Sequence, residues 1–152
     1  MERSLYYVRL LPGTEARYDE IHANVPGAVR RGMTDAGLGN ISGFRRGTDG
    51  WWYAEAEPDR DTAFSRTGKG MVNQRWGHQF RDVIAEIEAP RGGHIWYDEI
   101  FHTDAPVPGG SFERGCFSLV IDPHQADRYD QLHAEPWPEM LEAIAEAGYR
   151  DY

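Results

Sequence analysis

The sequence predicts an α+β fold built on a four-stranded sheet, and two observations carry that prediction. Four short β-prone runs alternate with two longer stretches of helical periodicity, in the order β-α-β-β-α-β. The opening β-α part of that pattern then returns without a gap at a shift of 111 positions, from Tyr18 to Tyr129: YDEIH at 18–22 reappears as YDQLH at 129–133.

Residues 5–11 (LYYVRLL) are rich in β-formers and stop at Pro12-Gly13, which sets the first strand. A helix follows from about Thr14. At 100° per residue, Tyr18, His22, Val25, Val29, Met33 and Ala36 fall in one stripe, so a phenol and an imidazole lie on the core-facing side. Pro26-Gly27 is expected to bend this helix, and Gly37 and Gly39 to stop it. Residues 40–46 (NISGFRR) and 51–57 (WWYAEAE) flank Gly47-Thr48-Asp49-Gly50 and predict a hairpin turning on Asp-Gly. A second helical region starts after Pro58, is interrupted near Gly68-Lys69-Gly70, and resumes with Val72, Trp76, Phe80, Val83 and Ile87 at helical spacing. Residues 94–102 (HIWYDEIFH), after Gly92-Gly93, predict the fourth strand. This order is the ferredoxin-like signature.

The predicted unit covers 1–103. Residues 104–115, rich in Pro, Gly and polar side chains, read as a linker. Residues 116–152 read as a partial second repeat, with a strand at 116–121 (CFSLVI) and a helix at 125–147 whose stripe holds Tyr129, His133, Met140, Ile144 and Ala147. The shift matches Pro12 with Pro123, Arg17-Tyr18-Asp19 with Arg128-Tyr129-Asp130, His22-Ala23 with His133-Ala134, and Ala36-Gly37 with Ala147-Gly148.

Composition narrows the function. A formal charge of −9 and a pI near 5.1 argue against a nucleic-acid partner, since phosphate binding needs clustered Lys and Arg. The apolar runs fall far short of the roughly 20 residues that span a bilayer, so no membrane partner is expected. The start, MERSLYYVRLLPG, lacks the pattern of a secretory signal, and the single Cys116 has no partner for an internal disulfide; both predict a cytoplasmic protein. The expected partner is a small molecule.

His22 lies one helical turn after Tyr18, where side chains at i and i+4 are neighbours, and an imidazole beside a phenol can handle protons near neutral pH. A buried histidine held by one hydrogen bond explains the same periodicity, and a duplicated helix copies core residues as readily as catalytic ones. Asn73-Gln74-Arg75-Trp76 combines amides that hydrogen-bond hydroxyls with an indole that stacks on a ring, although Trp76 at helical spacing with Val72 and Phe80 also reads as core. RTGKGM (66–71) lacks phosphate-loop spacing. The six histidines show no zinc spacing, and neither serine elbow nor activated cysteine is visible, so no metal, cofactor or covalent nucleophile is expected.

With Tyr18-x-x-x-His22, Ala36-Gly37, Asn40, Val72-Asn73-Gln74-Arg75-Trp76 and Asp98-Glu99-Ile100-Phe101-His102 in this order, residues 5–102 resemble the L-rhamnose mutarotases, ferredoxin-like proteins that associate as dimeric α+β barrels. Tyr129, His133, Trp137-Pro138-Glu139-Met140 and Ala147-Gly148 resemble the family again. The resemblance implies interconversion of sugar anomers by acid/base opening of a hemiacetal, with His22 as general acid/base and Tyr18 orienting it or binding a hydroxyl. Trp76 would be a stacking wall, with Asn40, Asn73 and Gln74 also binding substrate. It implies a homodimer, which would cover the otherwise exposed sheet face. Pro26, Ile41 and Gly77 stand where the family usually has aromatic residues. Two other readings of the same barrel follow: a polyketide cyclase-like tailoring enzyme, and a non-catalytic binding or assembly protein.

Overall fold

The computed structural model describes residues 1–86, 95–103 and 113–149, in two compact units, Met1–Asp98 and Glu99–Tyr152. In the first unit β1 (Glu2–Arg9), β2 (Leu38–Arg46), β3 (Asp49–Ala56) and β4 (Ile95–Tyr97) form one antiparallel sheet in the order β2-β3-β1-β4. β1 is central, bonded to β3 from Glu2↔Ala56 to Arg9↔Asp49 and to β4 through Leu5↔Tyr97, Tyr6↔Trp96 and Tyr7↔Ile95. The pleat alternates side chains between faces. Tyr6, Val8, Trp52, Ala54 and Ala56 therefore pack against the helices, in two clusters completed by Leu10, Tyr18, Ile21 and Val83 and by Leu38 and Ala63. Leu5, Phe44, Trp51 and Tyr97 share the opposite face through their cross-strand pairings, and they stay partly or well exposed.

The predicted bend at Pro26-Gly27 is a full break between α1 (Glu15–Ala23) and α2 (Gly27–Asp35). Pro26 is extended (φ −60°, ψ 141°), so it ends one helix and caps the next. Gly37, at φ 100°, then reverses the chain into β2. The hairpin turn is Gly47-Thr48 and not Asp-Gly, because Arg46 pairs with Asp49. Gly47, at φ 60°, supplies the positive φ that such a turn needs at its first central residue. Gly50 serves packing instead, since a Cβ there would lie 2.9 Å from Val8 Cγ2.

α3 (Arg60–Lys69) starts on Asp59, whose carboxylate accepts from Thr62 N at 2.7 Å and Thr62 Oγ1 at 2.9 Å. It breaks at the extended Gly70, as the interruption near Gly68-Lys69-Gly70 predicts, and α4 (Met71–Gly77) follows with a 3₁₀ turn at His78–Phe80. The helix predicted to run on towards Ile87 stops there. Leu11 N donates to Val83 O, Ala85 N donates to Arg9 O, and Leu10 bridges Ile84, so Val83 is buried by pairing with the end of β1. The fourth strand is three residues long within the predicted 94–102; His94 and Ile87 lie outside the described residues.

In the second unit a 3₁₀ turn (Pro123–Gln125) leads to α5 (Ala126–Ala134) and α6 (Pro138–Glu146). The predicted single helix over 125–147 is thus broken at Glu135-Pro136-Trp137, where Pro136 and, at the start of α6, Pro138 lack backbone donors. Residues 116–121 do not form the predicted strand. β1, its counterpart in the first unit, is bonded on both sides, whereas 116–121 pairs with none of the described strands.

Candidate active site

α1 is held at its start and at its middle. Thr14 Oγ1 donates to Leu11 O at 2.7 Å and to Val83 O at 3.1 Å, fixing the start of the helix against the end of β1. Arg45 of β2 grips the Asp19 carboxylate with Nε at 2.8 Å and Nη2 at 2.5 Å. Between these anchors Tyr18 is 4% exposed, and its hydroxyl accepts a hydrogen bond of 2.5 Å from Trp52 Nε1. Burial, ahead of the opposing Trp52 hydrogen bond, pushes the Tyr18 phenol up to about 12, so it keeps its proton throughout the neutral range.

His22 is half-buried in a nest of rings. Its centroid lies 4.3 Å from Tyr18, 4.6 Å from Trp52, 5.0 Å from Phe80 and 5.6 Å from Trp76, the last in an edge-on arrangement of 89°. Nδ1 is 3.0 Å from the carbonyl oxygen of Tyr18. A carbonyl only accepts, so Nδ1 carries the proton and the neutral ring keeps its lone pair on Nε2. Desolvation holds the imidazole below its ordinary 6.5, against smaller upward pulls from that carbonyl and from Asp19. The result is a neutral base beside a protonated phenol.

The structure brings Tyr18, His22 and Trp76 together, with the Trp76 Nε1 donor buried and without a partner among the described residues. Asn73, one turn earlier on α4, points elsewhere: its Nδ2 donates to Thr67 O at 3.3 Å and its amide packs over Gly32. Gln74 is exposed and bonds Gly68 O at 2.9 Å, while Asn40, at φ 46°, donates to Glu55 Oε1 at 2.7 Å. A groove of about 320 Å³ is lined by Arg31, Arg66 and Asn73 and does not include His22. The ring cluster is the better candidate, because it holds the titratable pair in a desolvated setting. Among the described residues, no group of three or more His, Cys, Asp or Glu side chains comes together to hold a metal ion.

Trp52 and Phe80 complete the ring cluster around His22, and the sequence alone singles out neither as a candidate. Phe80 falls on the core stripe with Trp76, and its helical spacing reads as packing. Trp52 left one usable signal: it sits opposite Gly43 across the hairpin, where a missing side chain opens room for an indole.

A family model described as L-rhamnose mutarotase matches residues 3–103 and, separately, 114–152. The chain is 47% identical over 37 residues to the L-rhamnose mutarotase of Burkholderia ambifaria (strain MC40-6), covering 24% of this chain and 36% of that protein. It is 42% identical over 40 residues to that of Acidiphilium cryptum (strain JF-5), covering 26% and 38% respectively. The matched stretch thus spans little more than a third of the length of these curated relatives. The crystal structure of an L-rhamnose mutarotase from Formosa agariphila superposes with a TM-score of 0.56 at 17% identity, over 68% of this chain and 99% of that one, which establishes the shared ferredoxin-like fold.

Proposed function

Because the chain belongs to the L-rhamnose mutarotase family, we propose that it interconverts the α and β anomers of a free sugar, with His22 as the acid/base group. The observation that carries this reading is the His22 tautomer: Nδ1 is tied to the Tyr18 carbonyl, and burial keeps the ring neutral, leaving Nε2 as a base. Nε2 takes the proton of the anomeric hydroxyl while the bond between the anomeric carbon and the ring oxygen breaks. A carbonyl forms at the anomeric carbon, the bonding pair goes to the ring oxygen, and the imidazolium returns the proton there. Rotation about the adjacent carbon–carbon bond and reversal of these steps give the other anomer. Tyr18, protonated throughout, donates a hydrogen bond to a sugar oxygen, and Trp76 offers a ring face.

Saturation-transfer NMR on L-rhamnose and a panel of other free sugars tests this. Exchange between anomer signals faster than in buffer is expected for at least one sugar, and no acceleration with any of them would refute the reading. The comparisons favour neither the cyclase-like nor the assembly alternative. The apolar face carrying Leu5, Phe44, Trp51 and Tyr97 supports a homodimer closing over it. Light scattering should then give about twice the chain mass of 17.3 kDa. An exposed, unpaired Cys116 accords with a cytoplasmic location.

A further inference from the structure

Trp52 makes two contacts that a core tryptophan has no general need to combine. Its Nε1–H donates to the Tyr18 hydroxyl at 2.5 Å, and its indole lies at 37° to the His22 ring with centroids 4.6 Å apart. The seat for this indole is built by the neighbouring strand. Gly43 faces Trp52 across β2–β3, and a Cβ at Gly43 would lie 2.6, 2.7 and 2.8 Å from three indole carbons. Those separations are below any real contact, so a side chain at position 43 and this pose of Trp52 exclude one another.

We propose that Trp52, seated over Gly43, is a positioning residue for the acid/base pair, directing the Tyr18 O–H towards the sugar and holding the His22 ring desolvated and in place. The inference rests on the anomer-exchange reading above. The phenol oxygen has one proton and two lone pairs, and the Trp52 N–H takes one lone pair. The Tyr18 proton therefore cannot point at Trp52 and is left for a substrate oxygen. On the other side, the indole covers one face of the imidazole and keeps water from it. The charged group acting on His22 is Asp19 on its own helix; Trp52, Trp76 and Phe80, which face it from β3 and the α4 region, carry no charge.

The experiment compares Trp52→Phe, Trp52→Leu, Gly43→Ala and the double variant Gly43→Ala/Trp52→Phe, with two readouts. Anomer exchange is measured by saturation transfer at several substrate concentrations, and the His22 ring is titrated by NMR in the free protein. Trp52→Phe keeps an aromatic cover and removes the N–H, so kcat should fall about tenfold with KM little changed and the His22 midpoint nearly in place. Trp52→Leu uncovers the imidazole, and its midpoint should rise towards 6.5. Gly43→Ala, which leaves Trp52 in the sequence but evicts its ring, should reproduce both effects. The smaller phenyl ring leaves room for the Cβ, so the double variant should be no worse than Trp52→Phe alone. Wild-type kcat in Trp52→Phe, or an unmoved His22 midpoint in both Trp52→Leu and Gly43→Ala, overturns the proposal. If the wild type accelerates no sugar, the anomer-exchange reading fails, while the titration still decides whether Trp52 governs the imidazole.

Discussion

The helix pair α1–α2 and the helix pair α5–α6 have the same boundaries at the shift of 111: Glu15–Ala23 maps onto Ala126–Ala134, and Gly27–Asp35 onto Pro138–Glu146. Their caps agree too, with Pro26 at φ −60° and ψ 141° beside Trp137 at −65° and 137°, and Gly37 at φ 100° beside Gly148 at 88°. Even the Tyr-His geometry is copied. His133 Nδ1 lies 2.9 Å from Tyr129 O, with ring centroids 4.2 Å apart, against 3.0 and 4.3 Å in the first pair. What differs is enclosure. Tyr18, Ile21 and Val29 are buried, while α5 and α6 hold no buried residue. His22 has four aromatic neighbours within 6 Å, whereas His133 has Tyr129 at 4.2 Å and Phe101 at 6.1 Å. Local sequence is enough to write the helices, the breaks and the hydrogen-bonded tautomer; only the sheet and α4 turn that tautomer into a desolvated base.

The sharpest way to break this comparison is to remove each histidine in turn. His22→Ala should lower anomer exchange by about 10²–10⁴-fold, the usual contribution of a positioned acid/base group, while leaving the fold intact. His133→Ala should be much milder. Equal losses from the two would show that enclosure is not what makes the group reactive. A pH profile adds to the test: protonating Nε2 abolishes the base, so kcat/KM should hold steady from neutral pH down past 6.5 and fall only at the lowered His22 midpoint. Stability has the same sign. The unfolded chain takes up the proton first, so the contribution of neutral His22 is complete above about 6.5 and shrinks as pH falls towards the folded value.

Next in size is the apolar pair Ile21 and Leu132, equivalent by the same shift but 4% and 51% exposed. Ile21→Ala should destabilise by about 2–5 kcal/mol, because it removes buried methylenes and leaves a cavity. Leu132→Ala should stay within about 0.5 kcal/mol. Urea unfolding of both variants measures the difference, and similar values would mean that the second helix pair is buried in solution as deeply as the first.

Gly37 and Gly148 sharpen the comparison at the helix ends. Both need a positive φ, which costs an alanine about 1–2 kcal/mol. At Gly37 the added Cβ would also lie 2.0 Å from the Glu57 carbonyl, whereas at Gly148 none of the described residues has an atom within 4 Å of it beyond its own chain neighbours. Thermal melts should therefore show Gly37→Ala as clearly the more damaging, with Gly148→Ala near the backbone cost alone.

The repeat also shows which parts of the fold were legible. Of the stripe Tyr18, His22, Val25, Val29, Met33 and Ala36 that the period alone predicts, Tyr18, Val29 and Ala36 are buried and the others partly buried, because helix burial follows spacing within a few turns. The same rule predicts a helix running through Val83 towards Ile87, yet Val83 is buried by pairing with the distant end of β1, a contact that no local period contains. CFSLVI at 116–121 has the composition of a strand but takes no strand conformation, since β-propensity expresses fit to a paired, half-buried surface and does not by itself set the backbone. Trp52 escaped notice for a related reason: alternation tells which face a strand residue takes, not which helix side chain waits across the interface. Adjacency in sequence groups Asn73 and Gln74 with Trp76, yet their amides satisfy backbone carbonyls around the α3–α4 break.

The smallest expected effect concerns Asp19 and its counterpart Asp130. In the first unit the Asp19 carboxylate is gripped by both Nε and Nη2 of Arg45, and that hydrogen-bonded pairing, ahead of the wider charge attraction, holds its pKa below the usual carboxylate value. The pair is largely solvated, with the two side chains 54% and 26% exposed, so screening keeps its worth to about 0.2–1 kcal/mol. Its influence on chemistry need not be as small, because Asp19 adjoins Tyr18 and is the charge that raises the His22 pKa against the dominant effect of burial. Asp19→Asn should therefore cost little in a melt, and less still at high salt. Removing the negative charge should move the His22 midpoint further down, extending the active range towards acid. Asp130→Asn should change neither stability nor the pH profile of anomer exchange. A His22 midpoint that rose in Asp19→Asn would mean that the carboxylate acts by holding α1 in place, with its charge secondary, and would shift the weight of the site from electrostatics to packing.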